Sequence, residues 1–253
     1  MRTGALVGLT LAARRRRILL LAAFGIGLLA VGTVAAIMGR GPGGRLQLDP
    51  LFATGGYPLV SGIILAGWVL GRFPLIAALA LVAGLVSDDR ATGQARLLAV
   101  RGVSPVTVYG TRLAALLGVA FALSAVVMPA FDLIMLGTWA GPATLVLIAA
   151  QVLVYGGLTA FLSVWTRLDA WLALLAALAA LGWTALGNAG LLPHWPVLSH
   201  AITLLLPPQS ALTALEGAFA NVQPIPWDAF AFCAGYSAVA IILAGLALRR
   251  REM

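Results

Sequence analysis

Apolar residues run along this chain in six long stretches, and short polar segments separate them. A transmembrane helix needs about 20 predominantly apolar residues, and several of these stretches reach that length with few or no charges. The pattern therefore predicts an all-α polytopic membrane protein, with one transmembrane domain that covers residues 1–253. The predicted spans are 18–38, 59–86, 106–136, 143–164, 170–186 and 227–248.

Segment 59–86 is longer than a minimal span, and the polar sequence Gly71–Pro74 interrupts it. Neither half is long enough to cross a bilayer alone at about 1.5 Å of rise per residue. We therefore predict one long helix that is kinked at Pro74, where proline removes a backbone hydrogen bond.

Two further segments flank the predicted spans. Residues 1–17 end in four arginines, which suits an amphipathic helix on the membrane surface. A cleaved signal peptide is the weaker alternative, because the apolar run continues past the small residues at 30–32. Residues 187–226 are rich in proline around a short apolar run, 197–206, which predicts an extracytoplasmic loop with a re-entrant segment.

The distribution of the charged residues indicates on which side of the membrane the two termini lie. Hydrophobic residues make up 62% of the sequence and charged residues 9%, against about 25% charged in ordinary soluble domains. In the predicted topology, thirteen of the sixteen basic residues fall on one side, two on the other, and Arg72 within the membrane. The excess indicates cytoplasmic termini, so the net charge of +8 reflects topology rather than binding of nucleic acid.

All sixteen basic residues are arginines. Without lysine, neither a phosphate-binding loop that ends in Gly-Lys-Ser/Thr nor a lysine Schiff base can form. Any ATP hydrolysis must therefore come from another chain, and we expect this chain to bind no cofactor or metal. The two histidines, His194 and His200, have no acidic or cysteine companion nearby, and the single cysteine, Cys233, is typical of a small buried core residue.

The segment 87–104 is a charged island between the second and third predicted spans. Asp88 and Asp89 at its start and Arg96 and Arg101 near its end match the signs that a helix dipole favours. We predict a short amphipathic helix from Asp88 to Arg101, ended by Gly102. The alternative is a solvated loop that carries ordinary cytoplasmic arginines.

These residues resemble a known pattern. Asp89–Gly93, Leu97-Leu98, Gly102-Val103-Ser104 and Gly110-Thr111-Arg112 are similar to the segment after the second span in permeases of the ATP-binding cassette type 2 export family. Gly102 and Arg112 stand where that family usually has proline and lysine. In the family this segment is the coupling helix, which docks into a cleft on a separate ATPase subunit.

The resemblance implies a bacterial inner (plasma) membrane exporter that works as a permease homodimer with two copies of the ATPase. That partner would bind ATP with Mg, while this chain would have no catalytic site of its own. The coupling residues that the resemblance implies are Asp88, Asp89, Arg90, Gly93, Arg96, Leu97, Leu98 and Arg101.

Arg72 is the other conspicuous charge, because arginine in mid-span costs about 3 kcal/mol on insertion scales. Such a residue marks a polar path or a paired site, and Asp132 in the third span is a conceivable partner. An ion-coupled secondary transporter that uses Arg72 and Asp132 is therefore an alternative function. A polytopic membrane enzyme is a further alternative, although no paired carboxylates, nucleophile with base, or metal cluster supports it.

Overall fold

A computed structural model of the chain describes residues 3–39, 61, 65, 67–93, 104–139, 141–190, 196–220 and 223–251. Within these ranges the structure consists of helices and connecting turns, without a β-strand. The helices are α1 (Thr3–Gly39), α2 (Phe73–Val82), α3 (Ser87–Ala91), α4 (Pro105–Leu136), α5 (Pro142–Ser163), α6 (Asp169–Asn188), α7 (Pro196–Leu205), α8 (Gln209–Ala220) and α9 (Trp227–Arg251).

Five of the described helices, namely α1, α4, α5, α6 and α9, are long and apolar enough to cross a membrane. Four of them coincide with predicted spans to within three residues at either end. Local chemistry accounts for two of the starts, because Pro105 and Pro142 occupy the first turn, where a missing N–H costs nothing. The all-α, multi-pass class that the sequence predicted is confirmed.

The N-terminal region differs from the prediction. The interfacial helix predicted for 1–17 and the span predicted for 18–38 form one continuous helix, α1, of 37 residues. At 1.5 Å per residue it is about 55 Å long, well beyond the roughly 30 Å of a bilayer core. No proline interrupts it, and its four consecutive arginines are good helix formers, so no physical signal ends the helix at residue 17.

The region predicted as a kinked span at 59–86 is described only at 61, 65 and from 67 onwards. Residues 67–71 are helical, Arg72 leaves the helix, and α2 begins at Phe73 with Pro74 in its first turn. The interruption therefore lies two residues before the predicted kink, because the proline ring clashes with the carbonyl four residues earlier. The helix also ends at Val82, four residues before the predicted end, and the sixth span stays a prediction.

Helix α5 lies at the centre of the described bundle. In its most apolar stretch of 18 residues 67% is buried, whereas the corresponding share in the other four candidate spans is 17–33%. It packs against α2, α4, α6, α8 and α9. Close approach to α9 depends on Gly157, where an added Cβ would lie 2.7 Å from the Ser237 hydroxyl. Cys233 on α9 is fully buried in this core, as predicted.

Helices α7 and α8 fold back on each other through a turn at residues 206–208. The amide oxygen of Gln209, just after the turn, accepts a hydrogen bond of 3.2 Å from the Tyr155 hydroxyl. Tyr155 lies thirteen residues after the start of α5, about 20 Å along the helix. The turn thus lies level with the middle of α5, and the re-entrant segment stays a prediction.

Candidate functional site

The candidate site begins at the turn after α2, where Gly84 adopts φ +73°. Its backbone N–H donates to Asp169 Oδ2 at 2.8 Å, and Ser87 Oγ approaches the same oxygen at 3.5 Å. Asp169 is the first residue of α6, so one carboxylate holds both the turn and the start of α3. A Cβ at Gly84 would overlap the Asp88 carboxylate, and glycine is therefore required at this position.

Asp88 pairs with helix α1. Its Oδ2 lies 3.4 Å from Arg14 Nη2 and 3.8 Å from Arg17 Nη2. Arg17 also donates to the carbonyl oxygens of Ala80 and Ala83, at 3.1 and 2.6 Å. Those carbonyls end α2 and lack helical partners, so Arg17 caps α2 and at the same time binds α3.

Asp89 pairs with helix α4. Its Oδ2 accepts from Arg112 Nη1 and, at 3.3 Å, from the Tyr109 hydroxyl. Only 14% of the Asp89 side chain and 22% of the Arg112 side chain are exposed, so solvent screens this ion pair less than a surface pair. The Arg112 guanidinium also lies 5.8 Å from the centre of the Tyr109 ring, within the range of a cation–π contact.

Arg90 completes the arrangement by donating to the Val164 carbonyl at 2.5 Å, immediately after the end of α5. The five residues of α3 are therefore tied to four long helices: Asp88 to α1, Asp89 to α4, Arg90 to α5, and Ser87 to α6. We call the residues Arg14, Arg17, Asp88, Asp89, Arg90 and Arg112 the charge cluster. Within it lies a cavity of about 290 Å³, lined by Arg14, Arg112 and both aspartates.

The structure corrects the predicted helix from Asp88 to Arg101. Helix α3 ends at Ala91, Thr92 caps it, and Gly93 adopts φ +77°. Glycine in this left-handed conformation is a common helix stop, and the prediction overlooked it in favour of Gly102. Three predicted coupling residues, Asp88, Asp89 and Arg90, are brought together in the charge cluster, and Gly93 follows it. The other four, Arg96, Leu97, Leu98 and Arg101, lie outside the described residues.

The glycines at 84 and 93 offer a matched test of this geometry. Alanine at either position must adopt a left-handed conformation, which costs about 1–2 kcal/mol. At Gly93 no described atom lies within 4 Å of the added Cβ, whereas at Gly84 the Cβ overlaps Asp88. We expect Gly84→Ala to lower the free energy of unfolding in detergent by about twice as much as Gly93→Ala. Equal losses would contradict a special role for the Gly84 turn.

Arg72 has a different partner from the predicted Asp132. Its Nη1 lies 2.8 Å from Oε1 of Glu216 on α8. Gln151 Nε2 donates to the same carboxylate oxygen at 3.4 Å and to the Gly71 carbonyl at 3.2 Å. Burial raises the pKa of the Glu216 carboxyl group, and the nearby Arg72 guanidinium opposes that shift. Asp132 is buried on α4, and its Oδ2 has no hydrogen-bond partner among the described residues.

No family model matches this chain, and comparison with curated proteins and with solved structures likewise finds no match. Its class therefore rests on its own helices, which indicate a multi-pass membrane protein. At one end of the bundle lies the short helix α3, which is anchored to four of the five candidate spans or to the residues immediately beyond their ends.

Proposed function

We propose that this chain is the membrane-spanning permease subunit of an ATP-driven exporter similar to the ATP-binding cassette type 2 class. The observation that supports the proposal best is the attachment of α3 to α1, α4 and α5 through the charge cluster, and to α6 through Ser87. A plain solvated loop does not require ion pairs to two helices and hydrogen bonds to two more. A segment that transmits force does, because a lever must be rigid where it joins the elements that move.

In the proposed mechanism, two ATPase subunits bind ATP with Mg and close on each other, and they push on segments 87–104 of a permease homodimer. Because α3 is bonded to several helices, a displacement of the segment moves those helices together. The two permeases then rock, and a path between them opens outward. The proposal places both termini in the cytoplasm of a bacterium and takes 59–86 as the sixth span.

The first test is biochemical. The tagged chain, expressed with any ATP-binding cassette ATPase that an adjacent reading frame is found to encode, is purified in detergent and reconstituted in liposomes. We expect the ATPase to co-purify, and its ATP hydrolysis to change when the permease is present. If no ATPase associates and ATP hydrolysis is indifferent to the chain, the proposal is wrong.

A docking role for 94–101 gives a sharper prediction. We expect Arg96→Glu or Arg101→Glu to abolish most of the permease-dependent change in ATP hydrolysis, because each reverses a charge in the proposed contact. The unfolding transition should be unchanged. Arg167→Glu is the control, since Arg167 is an exposed arginine in the turn between α5 and α6 at the same end of the bundle. Normal coupling in both test variants would contradict docking through these arginines.

An ion-coupled carrier is the second candidate, and the Arg72–Glu216 pair favours it. Charged residues among apolar helices commonly mark substrate or ion paths, and this pair joins the fold-back helix α8 to the interruption before α2. Transport that continues without ATP and follows an imposed proton gradient would favour this candidate over the exporter.

A further inference from the structure

A second pocket of about 200 Å³ lies between the last two turns of α6 and the turn that joins α7 to α8. It is separate from the charge cluster, since α6 begins beside that cluster at Asp169 and the pocket is near its other end. Its polar lining includes Thr184, Asn188, Thr203, Gln209 and Ser210.

The lining is mostly apolar, and its polar part carries no charge. Hydroxyl and amide side chains come from both walls: Thr184 and Asn188 from α6, and Thr203, Gln209 and Ser210 from the fold-back. Amide and hydroxyl groups both donate and accept hydrogen bonds. They therefore suit a ligand whose own groups do both, and they offer no counter-charge to a phosphate or a carboxylate.

Two contacts fix the walls of this pocket. Trp183 Nε1 donates to Thr203 Oγ1 at 3.2 Å, which joins α6 to α7. Gln209 is 5% exposed, and its Oε1 is held by the Tyr155 hydroxyl, as described above. Because the Gln209 amide oxygen is occupied from the interior, its orientation is set before any ligand enters, as in preformed small-molecule sites.

The rest of the lining is apolar, and the pocket is large enough to hold one ring. The Trp183 indole, Leu206 and Pro207 provide surfaces for C–H groups. A cavity of about 150 Å³ holds benzene, so 200 Å³ accommodates one six-membered ring with small substituents. A pyranose matches this pocket, because its ring presents C–H faces and its hydroxyl groups both donate and accept hydrogen bonds.

We propose that this pocket binds a neutral sugar ring, either as a free glycoside or as the headgroup of a glycolipid. The inference concerns binding alone and does not depend on the proposed export function.

The experiment measures saturation transfer by NMR from the full chain, in phosphatidylcholine nanodiscs, to the methyl glycosides of glucose, galactose, mannose and N-acetylglucosamine. No ATPase or nucleotide is added, so the result is independent of export. We expect at least one glycoside to bind the wild-type chain. Asn188→Leu removes an exposed amide from the pocket rim, and Trp183→Leu removes the aromatic face. Each is expected to weaken binding about tenfold, the effect of losing one good polar or aromatic contact.

Thr33→Val is the matched control, because Thr33 is an exposed hydroxyl residue on α1, remote in sequence from every lining residue. It should bind the glycosides like the wild type. A second arm adds glucosyl diacylglycerol to the nanodiscs; displacement of the methyl glycoside identifies a glycolipid headgroup, and no displacement identifies a free sugar. Failure of all four glycosides to bind the wild type, or equal binding by both pocket variants, overturns the proposal.

Discussion

Replacing Arg112 with glutamate is expected to lower the free energy of unfolding by about 3 kcal/mol, the range found when one partner of a buried ion pair is lost. Arg112 is the only charged partner within the described residues that contacts the Asp89 carboxylate. In the variant, two carboxylates face each other where solvent is largely excluded. The measurement is equilibrium unfolding of the purified chain in detergent micelles, followed by tryptophan fluorescence.

The reciprocal exchange provides the decisive comparison. Asp89→Arg alone should also destabilise, whereas the double variant Asp89→Arg with Arg112→Glu restores an ion pair and should recover most of the loss. The interaction energy from this double-mutant cycle isolates the pair from general effects of charge. Arg16→Glu is the control, because Arg16 is exposed on α1 and should change stability by less than about 0.5 kcal/mol. If the double variant is no more stable than the two singles added together, α3 is not held by this pair.

The Arg112→Glu variant also tests the proposed function. Without the Asp89–Arg112 pair, α3 keeps its contacts to α1, α5 and α6, but the Tyr109 hydrogen bond to Asp89 is the one contact described above that still joins it to α4. Amide hydrogen exchange at 87–93 should become faster, since local opening depends on the contacts that hold a segment. A lever that is held less firmly to α4 should also transmit less of any ATPase movement to that helix.

Much of the fold was predictable because the signals that start and end helices are local. Pro105 and Pro142 mark helix starts, and the apolar runs behind them fix length and type. The errors arose where a local signal was absent or was misread. No residue marks an end between 17 and 18, so the continuity of α1 was missed. Gly93 is an ordinary helix stop that was visible in the sequence and was passed over for Gly102.

The site was only half predictable, because partners distant in sequence are chosen by packing. The aspartates at 88 and 89 were singled out, but their position at a helix start seemed to explain them, and the ion pairs that they form were not foreseen. Their charge partners are 71 or more residues earlier on α1, or 23 residues later on α4. Hydropathy and periodicity contain no information on which arginine faces which carboxylate, so that pairing required the structure.

Arg72 shows the same limit more clearly. Asp132 was named as a conceivable partner because it is a carboxylate in a predicted span, but Arg72 pairs with Glu216 instead. Glu216, 144 residues away, reaches Arg72 because α8 folds back beside α5. The polar residue Gln151 lies between them and was not considered, although a glutamine in a long apolar helix is itself a signal of a polar contact.

Removing the Arg72 charge is expected to cost about 3 kcal/mol of unfolding free energy, while removing both charges of the pair should cost little. In Arg72→Met, the Glu216 carboxylate keeps only the weak Gln151 contact among the groups described here. A lone charge in such surroundings is strongly unfavourable. In the double variant Arg72→Met with Glu216→Leu, apolar side chains replace the pair, a change that is often neutral or stabilising.

Acidification gives a second readout of the single variant. Once Arg72 is gone, only the Gln151 hydrogen bond still opposes the rise in the Glu216 pKa that burial, the largest cause, produces, so the folded state binds the proton more tightly than the unfolded state. Stability therefore increases as pH falls through the folded-state pKa of Glu216. The deficit of Arg72→Met relative to the wild type should shrink at acidic pH.

Asp132 supplies the matched control for the pair. In a double-mutant cycle, Arg72 and Glu216 should show an interaction energy of about 2 kcal/mol, whereas Arg72→Met and Asp132→Leu should be additive within about 0.5 kcal/mol. This comparison distinguishes the observed partner of Arg72 from the conceivable partner that the sequence offered. Strong coupling of Arg72 to Asp132, with additivity towards Glu216, would refute the assignment of the pair and return the ion-coupled carrier to the residues first chosen for it.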